Sequence, residues 1–519
     1  MKTATSSVYS FEKLRNEGYL YVDKTEFIWN LIKSVGESYF LSRPRRFGKS
    51  LTLSTLKAVF EGKKELFKDL AIYDKPYDWK PYPVIHLSFA DLDSSTDSAQ
   101  GLKSYLLSKV DRAAAGFEIG LTEPEPGLRL GQLMDILYRK SQVVVLIDEY
   151  DKPILNNIDN PKIKEIRDEL KGFLSVLKDR NEEERLVFVT GVTKFCHVSL
   201  FSDLNNLTDI TMDAKYATML GYTQQEFEAN FKEQIEAVEK NQSRSHQDFL
   251  AEIKNWYDGF RFHAKSDSVY NPVSLAQFFE HGGEFSNYWF KTGTPEFLLK
   301  LTQSQDFDFS SALNEPVPEI AFSAFEIDNI DPLTLLFQTG YVTIKGTVQN
   351  LGETWYLLDF PNREVSSAFN TYLLNRYSGK KPTGGVKFVS EIANSLLKGD
   401  LERMHTAMEV FFAGIPYPAH KKNEATFQSI FFALFRLLGE YIEAESCTDN
   451  GRIDAVVRTE KSVYLFEFKM DKKKTALSQI REKEYFKKYL LDQREIYIIG
   501  VNFDSQKGNL TGWKTEKIR

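Results

Sequence analysis

Short apolar runs alternate with stretches of helical spacing through the first two hundred residues. Ser38-Tyr39-Phe40-Leu41, within Glu37 to Ser42, reads as a strand, and from Ser50 to Phe60 the residues Leu51, Leu53, Leu56 and Val59 have the spacing of a helix. A second strand covers Val84 to Phe89 and is followed by a helical stretch around Leu102 to Val110. A third, Val143 to Ile147, ends in Asp148-Glu149; a helix from about Ile163 to Leu177 then precedes a fourth, Leu186 to Thr190, which ends at Gly191. Strands apolar on both faces and alternating with helices suit a parallel sheet covered on both sides, so this part of the chain is expected to be α/β.

From Tyr222 to about Asn375 the spacing is mainly helical, broken at Tyr257-Asp258-Gly259-Phe260 and Tyr270-Asn271-Pro272, with short strand pairs near Tyr341 to Ile344 and Trp355 to Leu358. Ser378 to Gly385 has the composition of a linker, although the boundary could fall up to about thirty residues later, before Gly414. Beyond it a helix (Phe427 to Ile442), strands (Asp454 to Val457 and Ser462 to Lys469), a helix (Ala476 to Leu490) and a strand (Glu495 to Val501) form a second α/β pattern. The expected organisation is a domain over 1–221, a mainly helical middle region over 222–377 and a domain over 386–519.

A chain of 519 residues exceeds the size at which one core keeps growing. Its 42% hydrophobic, 27% charged and 14% aromatic residues are ordinary for a globular multidomain protein and exclude global disorder. The net charge of -7 excludes a chain-wide field that gathers nucleic acid, so such contact must use local patches. Candidates are Arg43, Arg45 and Arg46, the pair Lys421-Lys422, and Lys472-Lys473-Lys474. Cys196 and Cys447 lie far apart with no metal-ligand spacing, arguing for a reducing compartment. The N-terminus has no apolar signal core and no run is long enough to span a bilayer, so a cytoplasmic protein with no membrane partner is expected.

Two clusters carry chemistry. Arg43-Pro44-Arg45-Arg46-Phe47-Gly48-Lys49-Ser50 lies between a strand and a helix, where backbone amides, a lysine and a hydroxyl can hold nucleotide phosphates and Mg²⁺. The usual pattern has a glycine where Arg43 stands. Asp148-Glu149, at the end of an apolar run, supplies an acid for the magnesium shell and a second to polarise water. The expected roles are Lys49 on the phosphates, Ser50 and Asp148 on Mg²⁺, Glu149 activating water, and Thr190 and Thr193 sensing the terminal phosphate. Arg43, Arg45 and Arg46 either add charge at the phosphates or bind surface acids, and Arg46 is carried as a nucleotide-binding candidate. Asp151 has no spacing argument of its own.

The second cluster is Gly451-Arg452-Ile453-Asp454 followed by Leu465-Phe466-Glu467-Phe468-Lys469. Glu467 and Lys469 are two apart on a strand and share a face. Asp454 and Glu467 offer hard oxygen ligands to Mg²⁺ or Mn²⁺, and Lys469 can position water or the scissile phosphate, the wiring of a phosphodiesterase. Two charges on one face of a strand this apolar are costly without a purpose. His86, His197 and His420 lack metal-ligand spacing with one another, and His86 reads as a satisfied core histidine; Trp256 to Phe260 reads as packing.

Taken in order, Tyr21-Val22-Asp23-Lys24-Thr25, the Arg43 to Ser50 loop, Leu146 to Asp151, Trp256-Tyr257-Asp258-Gly259 and Tyr270-Asn271-Pro272 resemble the bacterial AAA-ATPase-like family, whose members commonly carry a C-terminal PD-(D/E)XK nuclease domain. The resemblance covers almost the whole chain. It implies an N-terminal P-loop NTPase sheet, a helical lid and a C-terminal restriction-endonuclease-like α/β domain. By the same resemblance Glu424, at the start of the first nuclease helix, is a further metal ligand and Gln479 orients substrate; the proline that often precedes the first acid is absent before Asp454. The implied function is an ATP-binding and ATP-hydrolysing protein controlling a Mg²⁺-dependent endonuclease that acts on nucleic acid, DNA before RNA. P-loop domains often assemble, which admits a homo-oligomer. The alternative is a nucleotide-dependent switch or scaffold whose nuclease fold binds without cutting.

Overall fold

A computed structural model describes residues 2–519 apart from 94–95, 179, 195–206, 243, 291–295, 306, 323–329, 379–381, 416–423, 440–441, 447–454, 471–475 and 505–508. The chain divides into two compact units, Met1–Gly293 with Glu319–Lys345, and Thr294–Pro318 with Gly346–Arg519.

The first unit is built on five strands, β1 (Glu37–Ser42), β2 (Val84–Ser88), β3 (Val143–Asp148), β4 (Glu184–Gly191) and β5 (Leu207–Asp209). They lie in the order β2-β3-β4-β1-β5, every pair parallel. β3 and β4 are buried along their whole length, as a central parallel sheet demands of its apolar runs. Helices Lys49–Phe60, Ala99–Ala115, Pro126–Tyr138 and Ile163–Leu174 connect the strands. The register pairs Ser88 with Asp148 and Ser42 with Gly191, so polar residues collect at the carboxyl ends of the strands, where open α/β sheets bind ligands.

Helices Gln224–Asn230, Lys232–Gln242, His246–Tyr257 and Pro272–Glu280 follow and enclose Phe227, Phe249, Tyr257, Tyr270 and Phe278. Their boundaries have local causes. Thr223 and Glu226 form a reciprocal capping box. Asn271 Oδ1 accepts from the amides of Val273 and Ser274 at 3.0 Å, and Pro272 fills the first helical position, where no amide is needed.

A three-stranded sheet consists of β6 (Val317–Pro318), β7 (Thr343–Asn350) and β8 (Glu353–Asp359); the chain enters the second unit within β7, at Gly346. Helices Arg363–Ser378, Pro382–Lys398, Leu401–Ala413 and Glu424–Leu438 come next; Pro382 to Gly385, which have linker composition, open the second of them. The last sheet has the order β13-β12-β11-β10-β9, with β9 (Glu443–Ser446), β10 (Ala455–Arg458), β11 (Ser462–Met470), β12 (Glu495–Asp504) and β13 (Asn509–Lys517). β11 and β12 are parallel and the other pairs antiparallel.

Alternation along β11 explains its two faces. Val463 and Leu465 join a core with Val456, Ile480, Ile496 and Ile498. On the opposite face Phe466 and Phe468 pack against Phe435, and Phe468 also stacks on Phe431 at 3.9 Å between ring centres. The expected fold classes are thus found, a parallel sheet first, a helical middle and a mixed sheet at the C-terminal end.

Candidate nucleotide and nuclease sites

The Arg43 to Ser50 loop leaves β1 and enters the Lys49–Phe60 helix through Gly48, whose φ of +95° favours glycine. No side chain caps that helix, which leaves its first amides free to meet an anion. Arg46 also has positive φ, at 68°, and its side chain is exposed, as is that of Arg45.

Arg43, by contrast, is 1% exposed. Its guanidinium donates to the carbonyls of Ser42, Thr211 and Tyr216 at 2.9, 2.7 and 3.1 Å and lies 4.1 Å from the Phe262 ring centre. Of the two expectations for the loop arginines, phosphate charge or surface acids, Arg43 meets neither. It braces the loop from within, and the missing glycine is explained by that packing.

Lys49 Nζ donates to the carbonyls of Arg43 and Pro44 at 2.8 and 2.9 Å. Burial pulls its pKa below the usual lysine value against the pull of Asp148, Asp151 and Glu149. Ser50 Oγ donates to Asp148 Oδ2 at 2.6 Å. The other oxygen, Asp148 Oδ1, is buried without a hydrogen-bond partner. Burial raises the Asp148 pKa, opposed by the Ser50 hydrogen bond and the Lys49 charge. A hydroxyl and a carboxylate with an unused buried oxygen form a hard-oxygen corner that fits Mg²⁺. These groups line a cleft of about 890 Å³ with Arg45, Arg46, Gly48, Glu149, His86 and Tyr222.

Glu149 takes the left-handed conformation at φ 56°, uncommon for a residue with a Cβ and frequent at functional sites. Its carboxylate lies 3.5 Å from Lys152 Nζ. Asp151 is buried, and its Oδ2 accepts from Val192 N, Thr193 N and Thr193 Oγ1 at 3.0, 2.7 and 2.7 Å. Thr193 is thereby tied to the acidic segment. Thr190 is fully buried, does not line the cleft, and donates its hydroxyl to Leu41 O at 2.8 Å.

His86 was expected as a satisfied core histidine, yet Nε2 has no hydrogen-bond partner and the ring borders the cleft. Burial, with the charges of Lys57 and Lys109, lowers its pKa to about 4, so it is neutral at ordinary pH. The one sequence signal for this placement was its position two residues before Ser88 at a strand end.

In the second unit Glu467 is 2% exposed and accepts a hydrogen bond from Gln479 Nε2. Gln479 sits on the Ala476–Glu482 helix. That helix approaches β12 at Gly500, where an added Cβ would lie 2.3 Å from Leu477 N; Gly500 is the register partner of Glu467. Lys469 follows on the same face, half-buried and paired with Asn502. Asp454, the Glu424 side chain, Lys421-Lys422, Lys472 to Lys474, Cys196, Cys447, His197 and His420 lie outside the described residues. The strand that follows Asp454 begins at Ala455, whose partner Phe466 is the neighbour of Glu467. No helix among the described residues is long and apolar enough to cross a membrane.

A parallel sheet with a phosphate-type loop and an acidic strand end, together with a separate mixed sheet bearing a buried Glu-x-Lys, defines a P-loop protein with a nuclease-like domain. A family profile described as "Predicted AAA-ATPase" matches residues 6–201, and one described as "PD-(D/E)XK nuclease superfamily" matches residues 422–513. The chain is 37% identical over 526 residues to an uncharacterized protein in the vnfD 5′ region of Azotobacter chroococcum mcd 1, with 98% of each chain covered. The chain belongs to this family of predicted AAA-ATPases with a C-terminal PD-(D/E)XK nuclease superfamily domain.

Proposed function

We propose that the first unit binds Mg²⁺-ATP and that nucleotide binding and hydrolysis control a Mg²⁺-dependent endonuclease in the second unit, with DNA as its substrate. The observation that carries the nucleotide half is the Ser50 to Asp148 hydrogen bond at 2.6 Å in the cleft beside Lys49. In this reading Gly48 and the first amides of the helix bind phosphate oxygens, and Lys49 exchanges the Arg43 and Pro44 carbonyls for the outer phosphates. Arg46 adds charge at the rim. Ser50 and Asp148 hold Mg²⁺, and Glu149 orients water.

In the nuclease, Glu424, Asp454 and Glu467 hold the divalent ion, Mg²⁺ or Mn²⁺, and Gln479 fixes the Glu467 carboxylate. A divalent ion in such a site lowers the pKa of water and offsets charge on the phosphate. Lys469 steadies the scissile phosphate from the same face as Glu467. What supports this half is the burial of Glu467 with an amide partner at the point where the face of β11 turns from apolar to charged.

The test uses two separate readouts on the full chain. Titration with a fluorescent ATP analogue and Mg²⁺ should saturate for wild type and fail for Lys49→Ala. Cleavage of plasmid and of single-stranded DNA should require Mg²⁺ or Mn²⁺ and vanish in Glu467→Ala. Clear nucleotide binding with no cleavage of any DNA or RNA would favour the switch or scaffold instead.

A further inference from the structure

We propose that Gln338–Lys345 is a positioning element that holds the phosphate loop and the tip after β4 in mutual register, and that it carries the nucleotide state into β7. The inference rests on the nucleotide-binding reading above. Every contact involved lies within the first unit, and the consequence travels along the chain itself.

The helix Pro332–Gln338 ends in a Schellman turn. Gly340 N donates to Phe337 O at 3.0 Å and Tyr341 N to Leu336 O at 2.9 Å, with Gly340 at φ +85°. On one side of this turn, Gln338 Oε1 accepts from the buried amide of Lys194 at 2.7 Å. Lys194 follows Thr193, which Asp151 holds through its amide and hydroxyl. Gln338 is thus linked through Lys194 and Thr193 to Asp151, just beyond the acidic end of β3.

On the other side the turn meets the phosphate loop. A Cβ on Gly340 would stand 2.6 Å from Pro44 Cγ, so only glycine lets the turn pack this closely on the Pro44 ring. Pro44 is one of the two residues whose carbonyls hold Lys49. If Lys49 turns to a phosphate, the packing of Pro44 on Gly340 is the nearest contact to feel it.

The element continues directly outward. Thr343 Oγ1 accepts from Arg261 N at 2.7 Å, and β7, which starts at Thr343, leaves the first unit after Lys345. Packed elements of this kind shift between discrete arrangements rather than deforming smoothly. Gln338 is a positioning residue here, since it reaches the nucleotide only through Lys194 and Thr193.

Hydrogen exchange on the full chain tests this. With Mg²⁺ and a non-hydrolysable ATP analogue, peptides covering 43–52 and 343–350 should both exchange more slowly, the second by about fivefold or more. In Gln338→Leu the first peptide should keep its protection while the second loses its response; Gln338→Glu, which retains an acceptor oxygen, should restore it. Protection of 43–52 with 343–350 unchanged in wild type would overturn the inference and leave nucleotide binding standing. A nucleotide response of 343–350 that survives in Gln338→Leu would remove Gln338 from the route. Absence of protection at both peptides would overturn the nucleotide-binding reading and the inference with it. The wild-type comparison decides even where a variant fails to fold.

Discussion

Glu184 opens β4 at the end opposite the cleft, fully buried, and neither carboxylate oxygen has a hydrogen-bond partner. Burial, reinforced by Glu183 and opposed by Arg180, moves its pKa from 4.5 to about 7. An acid whose pKa is raised on folding binds more protons in the native state, so stability falls as pH rises. The contribution is complete below 4.5 and is lost as pH climbs through about 7, costing the native state about 3 kcal/mol above both values. Glu184→Gln keeps the shape and removes the charge. Near pH 4.5 the variant and wild type should have similar urea midpoints; at pH 8.5 the variant should be higher by about 0.5–1 M. The difference should hold above about pH 7 and close as pH falls from about 7 toward 4.5. A wild-type pH profile parallel to that of the variant would refute the reasoning, because it would mean the buried carboxyl is ionised without cost.

Ser50→Ala removes the hydroxyl donor to Asp148 and should weaken Mg²⁺-nucleotide binding about 10- to 100-fold, measured by fluorescence titration; unchanged affinity would take Ser50 out of the site. Arg43→Lys keeps the charge but loses the planar fork that reaches three carbonyls. Urea denaturation should show a loss of about 2–3 kcal/mol, and an unaltered midpoint would contradict the brace. Gly500→Ala forces the Ala476–Glu482 helix away from β12 and with it Gln479 from Glu467. Cleavage should fall about tenfold or more, and full activity would show that the amide is not needed.

Much of the fold was legible because the signals were local. The apolar run Val143 to Ile147 together with Asp148 is β3, and the helix expected from Ser50 begins at Lys49. Period-two alternation put Glu467 and Lys469 on one face of β11, where they lie. The segments that escaped notice depend on distant partners. β13 is largely polar and half-exposed, so its pattern did not distinguish it from a loop until β12 gave it a ladder. The helix beginning at Pro382 was obscured by Thr383, Gly384 and Gly385, residues that favour turns unless proline is filling a first helical position.

The site was legible in its reactive groups and not in their supports. Gly48-Lys49-Ser50 and Asp148-Glu149 stand out because phosphate and metal chemistry needs those types at those strand ends. Arg43, at the place of an expected glycine, is accounted for only by Thr211, Tyr216 and Phe262. Likewise the roles of Asp151 and Gln338 follow from amides at 192–194. Backbone carbonyls and amides far along the chain leave no residue-type signature, so such braces become visible only once the chain is folded.

In the proposed function the nucleotide site controls cutting. The most direct measurement is the Mg²⁺-dependent DNA cleavage rate of wild type and Lys49→Ala over a range of ATP concentrations. Wild type should show a saturable change of rate with ATP and Lys49→Ala a flat response, with both losing cleavage when Glu467→Ala is added. A cleavage rate independent of ATP in wild type that nonetheless binds the nucleotide would contradict it.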